Sequence, residues 1–314
     1  MLAESDLPRA VRIREVGPRD GFQNEPEIIP TSEKVRLIDL LARTGVRRLE
    51  VTSFVRPDVI PQLADAAEVL AAVDIPQDVA ISVLIPNERG LDNALALLDR
   101  HPGPRRAFDE INVFLSASET HNAKNVNRTV EESLVGLEAV LPRAAAAGLR
   151  CEAVVATSFG CPYEGRVESA RVLEIANRLA AAGAQEIAFG DTTGMANPRQ
   201  VGAFIATALA RLGGTEVTAH FHNTRGQGLA NVLAALDAGC TSFESSFGEL
   251  GGCPVPVGAT GNIATEDLVS MLHEMGVGTG IDLDLLLAAA DEVRTVLGRS
   301  LGSHTLVAGP VRWS

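Results

Sequence analysis

Short runs rich in β-branched residues alternate with longer stretches whose apolar positions recur at helical spacing, and the alternation repeats about eight times. The runs are Val11 to Val16, Arg47 to Thr52, Val79 to Ile85, Glu110 to Leu115, Cys151 to Ala156, Glu186 to Phe189, Val217 to His222 and Thr241 to Ser246. Between them lie helical stretches such as Ser32 to Arg43, Gln62 to Ala72, Val130 to Ala147, Val167 to Ala182, Pro198 to Leu212 and Gln227 to Ala238. Three of these end on Thr44-Gly45, Ala147-Gly148 and Ala182-Gly183, where a left-handed glycine closes a helix just before the next run. Strand-then-helix repetition predicts an α/β protein with a parallel sheet, and eight units fit a closed (β/α)8 TIM barrel. No Pro/Gly/Ser-rich linker divides the chain. The expected organisation is a barrel over residues 11–276 followed by a short C-terminal helical extension and tail over 277–314.

Composition narrows the function classes. With 46% apolar and 21% charged residues in 314, and a mean hydropathy of +0.14, the chain can bury a sizeable core. Lys plus Arg is 27 against 40 Asp plus Glu, so a net charge of -13 argues against nucleic-acid binding and requires a local cation for any anionic substrate. No apolar run approaches the ~18 residues of a membrane span. Glu4 and Asp6 near the start are unlike a secretory signal, and Cys151, Cys161, Cys240 and Cys253 form no CxxC pair, so a reducing, cytoplasmic setting is expected. Gly17-Pro18-Arg19-Asp20-Gly21 after the first run is not GxGxxG, the cluster Gly276, Gly278, Gly280 follows a helix and reads as a loop, and neither GxxxxGK[ST] nor GxSxG occurs.

In such a barrel the active site lies at the C-terminal ends of the strands, and several chemically capable residues fall there. His220 and His222 close the seventh run two residues apart, so both imidazoles share one strand face and Phe221 takes the other. Beside carboxylates they suit a divalent metal, magnesium or manganese in preference to a cysteine-rich zinc site; a hydrogen-bonded core pair is the alternative. Arg19 and Asp20 follow the first run through a turn that ends the strand and exposes both. Asp20 could bind a metal and Arg19 could steady a developing negative oxygen, or the two could form a solvated salt bridge. Glu50 is read as ending strand two and Asp191 as ending strand six, each as a site carboxylate or a helix cap. Gly248-Glu249-Leu250-Gly251-Gly252-Cys253-Pro254 reads as a mobile loop with Cys253 at its tip, a proton donor or else a buried hydrophobe. Asn262, at the start of a helix, has an ordinary N-cap as its alternative reading. Cys151 and Cys240 begin strands and belong to the core, while Cys161 sits in a loop after the fifth strand with no role assigned. The run His101 to Arg106 reads as an exposed loop.

Three segments together resemble 3-hydroxy-3-methylglutaryl-CoA lyases: Glu15-Val16-Gly17-Pro18-Arg19-Asp20-Gly21-Phe22-Gln23-Asn24-Glu25, His220-Phe221-His222-Asn223, and Gly251-Gly252-Cys253-Pro254 with Gly258-Ala259-Thr260-Gly261-Asn262. That family belongs to metal-dependent barrel lyases related to isopropylmalate and homocitrate synthases. The resemblance implies that Asp20, His220, His222 and Asn262 surround the divalent metal, with Arg19 beside it and Cys253 on a closing loop. It also places Glu50, Gln23, Ser53, Asp191 and Thr192 where the family has active-site or supporting residues. The implied reaction cleaves the C2–C3 bond of a branched 3-hydroxyacyl-CoA to a ketoacid and acetyl-CoA. An acyl-CoA substrate, a homodimer and a place in leucine degradation are the family's expectations.

Departures from the pattern bear on the acyl group. Asn223-Thr224-Arg225-Gly226-Gln227 replaces the family's Asp-Thr-Tyr-Gly-Gln, which makes Arg225 a further substrate-binding candidate. Ala188 stands where the family has a serine, and His121 replaces an apolar residue, so a different branched 3-hydroxyacyl-CoA is an alternative substrate. A condensing synthase is opposed by the Cys253 loop and by too few residues after ~300 for the ~50 that a regulatory domain needs. A barrel kept only as a binding scaffold would have no reason to retain Asp20, His220, His222, Cys253 and Asn262 together at strand ends.

Overall fold

Each β-branched run forms one strand: β1 (Arg12–Glu15), β2 (Arg48–Ser53), β3 (Ala80–Leu84), β4 (Glu110–Ser116), β5 (Arg150–Ala156), β6 (Glu186–Asp191), β7 (Glu216–Phe221) and β8 (Ser242–Ser245). In the computed structural model, which describes residues 7–101, 103, 105–252 and 261–313, neighbouring strands pair in parallel in chain order and β8 closes on β1. Helices α1 (Thr31–Leu41), α2 (Ala66–Ala72), α3 (Glu88–Arg100), α4 (Glu119–Val126), α5 (Val130–Ala146), α6 (Ser169–Ala181), α7 (Pro198–Arg211), α8 (Gly228–Asp237) and α9 (Thr265–Glu274) follow the strands, and α10 (Leu283–Leu297) and α11 (His304–Ala308) come last. The arrangement is a TIM barrel. Gly45, Gly148 and Gly183 have φ of 95°, 74° and 111°, the left-handed stops read from the sequence.

The strands have two unlike faces. One phase of the alternation, Ile13, Leu49, Ile81, Ile111, Ile187, Val217 and Phe243, is buried in a single apolar cluster with Leu37, Val69, Leu91, Leu137, Val172, Val201 and Val232 from the helices. At about 2 kcal/mol per buried aliphatic side chain, this layer between sheet and helices dominates the stability. The other phase faces the barrel axis and is ionic at its lower end. Arg14 (β1) meets Glu110 (β4), Glu152 (β5), Glu186 (β6) and Glu244 (β8), and Arg48 (β2) meets Glu110 at 2.9 Å and Glu186 at 2.6 Å. Partnered in this way, the carboxylates escape the penalty of a lone buried charge.

Several local expectations change. Helices α3 and α4 lie outside the segments singled out by periodicity, although Asn87 and Ser118 accept N-cap hydrogen bonds at their starts. Glu50 does not end β2; the strand runs on three residues to Ser53. The turn after β1 is a single π-helical turn over Gly17–Gly21, which keeps the Arg19 and Asp20 side chains only 12% and 13% exposed. Asn262 is no N-cap: it forms a bridge with His222, and α9 begins three residues later. Within the basic run after α3, Arg105 is a staple, donating to the carbonyls of Ile75, Pro76 and Val79 and to Asp109. Cys151, Cys161 and Cys240 are buried, and Cys161 Sγ accepts from Ser118 Oγ at 3.0 Å.

Candidate active site

The turn after β1 is π-helical because the Phe22 N–H reaches back five residues to the Gly17 carbonyl; the Asp20 N–H donates to the Val16 carbonyl (2.7 Å), and Glu15 accepts the Gly17 N–H (2.7 Å). The turn aims Arg19 and Asp20 into the mouth. Arg19 Nε and Nη2 hold Glu50 Oε2 at 2.7 and 2.6 Å, and its Nη1 holds Asp20 Oδ1 at 2.8 Å. Gln23 Nε2 donates to the same Oδ1 at 2.8 Å, and Asn262 Nδ2 donates to Oδ2 at 2.8 Å. The carboxylate of Asp20 is therefore fixed from three sides.

Opposite, β7 and the residue after it bring the two histidines together. His220 and His222 face each other through Nε2 at 3.1 Å, and ligand atoms of Asp20, His220 and His222 all lie within 4.8 Å of one another. The His222–Asn262 bridge adds the amide of Asn262, whose Oδ1 is buried without a hydrogen-bond partner among the described residues. Two imidazole nitrogens, a carboxylate and an orphaned amide oxygen are a donor set for a hard divalent cation. Backbone shape agrees. Gly251 (φ 87°) leans on the cluster so closely that a Cβ would stand 2.7 Å from Asn262 Nδ2 and 3.0 Å from Asp20 Oδ2. The residues present fit such an ion.

Electrostatics hold Asp20 as an anion. Burial would raise its pKa, but Arg19, the two histidines and the Asn262 hydrogen bond together bring it below the ordinary value. For His220, burial works against the charged form and is outweighed by the Glu244 hydrogen bond and by the charges of Glu244 and Asp20, so its pKa rises. Glu50 is raised by burial in spite of Arg19. Asp191 is pushed up to about 7 by burial, offset only partly by the N–H groups of Ala196 and Met195 that its Oδ1 accepts. Asp191 thus caps its own loop rather than α7, whose N-cap is Asn197, and its Oδ2 is left without a partner among the described residues.

The remaining predicted residues are spread around the same mouth. Ser53 ends β2 with a buried Oγ that has no partner among the described residues, and Thr192 Oγ1 accepts the Thr157 N–H at 3.1 Å. Arg225 is exposed and donates to the carbonyls of Thr193 (2.7 Å) and Gly194 (3.0 Å), bracing the loop after β6. Ala188 is fully buried in β6 between Val154 and Thr218, and His121 is buried in α4. Cys253 lies outside the described residues.

Sequence reading passed over Glu244 and Arg14. Glu244 Oε2 stands 2.9 Å from His220 Nδ1, and its Oε1 accepts from Arg14 at 3.1 Å. The available signal was a charge on the inward phase of β1 and β8 alike. Thr157, with φ of 56° just after β5, is a second omission: a β-branched residue in the left-handed region is strained, and its Oγ1 pairs with Ser116 Oγ at 2.6 Å. Nothing in composition or spacing marks that conformation.

Residues 10–293 match the family model described as HMGL-like. The chain belongs to this family. It is 44% identical over 299 residues to the hydroxymethylglutaryl-CoA lyase YngG of Bacillus subtilis, covering 95% of this chain and 97% of that protein. It is 41% identical over 297 residues to the mitochondrial hydroxymethylglutaryl-CoA lyase of Rattus norvegicus, covering 95% and 89%. Among solved structures, an HMG-CoA lyase from A. baumannii in complex with coenzyme A and 3-methylmalate superposes with a TM-score of 0.90 at 40% identity, covering 99% of this chain and 97% of the other. The family and its relatives make this chain a carbon–carbon lyase.

Proposed function

We propose that the protein cleaves 3-hydroxy-3-methylglutaryl-CoA to acetoacetate and acetyl-CoA with a magnesium or manganese ion held by Asp20, His220, His222 and Asn262. The observation that carries the reading is the convergence of those four side chains, from the β1 turn, β7 and the segment before α9, at one point beside Arg19. When bound, the cation polarises the substrate's tertiary hydroxyl and lowers its pKa. Asp20 takes the hydroxyl proton at a carboxylate oxygen; His220 is the alternative base, at Nε2, only where that nitrogen does not hold the ion. As the C2–C3 bond breaks, the electron pair moves onto the thioester as an enolate, and Arg19 donates to that oxygen. Its guanidinium needs little reorganisation because Glu50 and Asp20 already hold it. Cys253 is assigned as the donor of the proton delivered to the enolate carbon.

Gln23 supports Asp20, while Ser53, Thr192 and Arg225 are assigned to the substrate side of the mouth, Arg225 through the loop it braces. The barrel over 11–276 carries all of these residues, with 277–314 as an appendage. A cytoplasmic homodimer acting in leucine degradation completes the reading, with sedimentation velocity as the check on assembly. The decisive assay is acetoacetate release from the thioester under reducing conditions. Turnover that requires added magnesium or manganese and stops with chelator is expected; no release under those conditions removes the assignment.

Ala188 supports a second reading of the acyl group, since a methyl replaces a hydroxyl at a fully buried position inside the barrel. A panel of branched 3-hydroxyacyl-CoA thioesters separates the two: a preferred substrate other than the methylglutaryl ester, at equal metal dependence, keeps the chemistry and changes the substrate.

A further inference from the structure

Three adjacent strands carry a row of inward side chains at one level. The β7–β8 register sets His220 beside Glu244, and the β8–β1 register sets Glu244 beside Arg14. Neighbourhood in the sheet becomes contact: His220 Nδ1 lies 2.9 Å from Glu244 Oε2, and Arg14 Nη1 lies 3.1 Å from Glu244 Oε1. Neither Glu244 nor Arg14 can turn to water, for each is 2% exposed. Arg14 is also held by Glu110, Glu152 and Glu186 from β4, β5 and β6, which leaves its guanidinium no alternative direction.

An imidazole can offer a lone pair to a cation at one nitrogen only if its proton is on the other. Glu244 is an acceptor placed at Nδ1, so it selects the Nδ1–H tautomer and turns Nε2 toward His222 and Asp20. We infer that Glu244 and Arg14 are positioning residues for the cation site, acting through His220: Glu244 fixes the ring's tautomer and angle, and Arg14 fixes Glu244. The inference rests on the cation site proposed above.

Glu244→Gln keeps the length of the side chain and removes the acceptor's certainty. With its NH2 toward Arg14 the amide meets a cation; with its NH2 toward His220 it donates where an acceptor stood and favours the Nε2–H tautomer. Binding of Mn2+ to the metal-free full-length protein, followed by electron paramagnetic resonance of the free ion, is expected to weaken roughly ten- to a hundred-fold. Glu244→Asp, which keeps a carboxylate, should recover most of that loss, and Arg14→Lys, which keeps the charge without the fork, should weaken Mn2+ by roughly three- to tenfold. In the unaltered metal-free protein, 15N spectra of labelled histidine at alkaline pH should show His220 as the Nδ1–H tautomer. An Nε2–H signal there, or Mn2+ affinity within about twofold of the unaltered protein in a folded Glu244→Gln, overturns the inference. If Glu244→Gln does not fold, the tautomer and Glu244→Asp still decide it. The site reading has its own control: if His220→Ala and His222→Ala both leave Mn2+ binding intact, that reading falls first.

Discussion

Asp191 offers a test in which the magnitude follows directly from the site. Its carboxyl is 1% exposed, with one oxygen on the Met195 and Ala196 N–H groups and the other without a described partner, and its pKa is pushed up from 3.8 to about 7. A carboxyl whose folded pKa is raised binds its proton more tightly in the native state. The stability contributed by this one group is therefore fully present below about pH 4 and is lost as pH climbs from the unfolded value toward 7. At 1.36 kcal/mol per unit, the loss totals about 4 kcal/mol above pH 7, of which about 3 kcal/mol accrues between pH 5 and pH 8. Asp191→Asn cannot ionise and keeps an acceptor for the two N–H groups, so it should escape this loss. Urea midpoints in metal-free buffer with chelator, at matched m-values, should show the variant gaining about 3 kcal/mol on the unaltered protein from pH 5 to pH 8. A difference between the two proteins that does not change with pH would refute the reasoning, because burial would then not be raising this carboxyl.

Other substitutions read the mouth more directly. Arg19→Lys loses the fork that bridges Glu50 and Asp20, so kcat should drop by roughly a hundred- to a thousand-fold with little movement in KM, measured by steady-state acetoacetate release. Gly251→Ala places a methyl at 2.7 Å from Asn262 Nδ2 at a φ of 87°; Mn2+ affinity should fall by about tenfold and the melting temperature by a few degrees, the backbone part costing roughly 1–2 kcal/mol. Cys253→Ala should cut turnover by orders of magnitude while calorimetric Mn2+ binding persists, and an unchanged rate would remove the assigned proton donor.

The barrel was readable because its strands announce themselves twice, by β-branched content and by left-handed glycines such as Gly45, Gly148 and Gly183 that close the preceding helices. Helices α3 and α4 escaped for different reasons. The first follows Pro86 and has a clear face in Leu91, Ala94, Leu95 and Leu98, but no glycine stop ends it. The second is eight residues long, largely polar, and is fixed by its Ser118 cap and by Asn122, which reaches Ser116 N–H, the Arg128 and Thr129 carbonyls and Ser133. Tertiary contacts of that kind leave no periodic trace. Exposure was misread at Arg19 and Asp20 because a glycine and a proline suggest a surface turn, whereas a π-helical turn folds both side chains inward.

The interior charges change what the net charge of -13 means. Read along the chain, 40 acidic residues describe a surface that repels anions. Folded, four of them, Glu110, Glu152, Glu186 and Glu244, lie inside the barrel beneath the mouth, facing the two buried guanidiniums of Arg14 and Arg48 and the partly buried Arg150, which lies 3.1 Å from Glu186 and 3.7 Å from Glu110. That floor keeps an excess of negative charge in a medium of low dielectric, where a field acts over longer distances than in water. Above it stand Asp20 and Glu50 against Arg19. A divalent cation at the proposed site of Asp20, His220 and His222 would therefore be drawn to the mouth by the barrel's own interior, and with that ion in place the same mouth would favour a polyanionic thioester. On that proposal Glu244 serves twice, in the acidic floor through Arg14 and at the Nδ1 of the His220 ring.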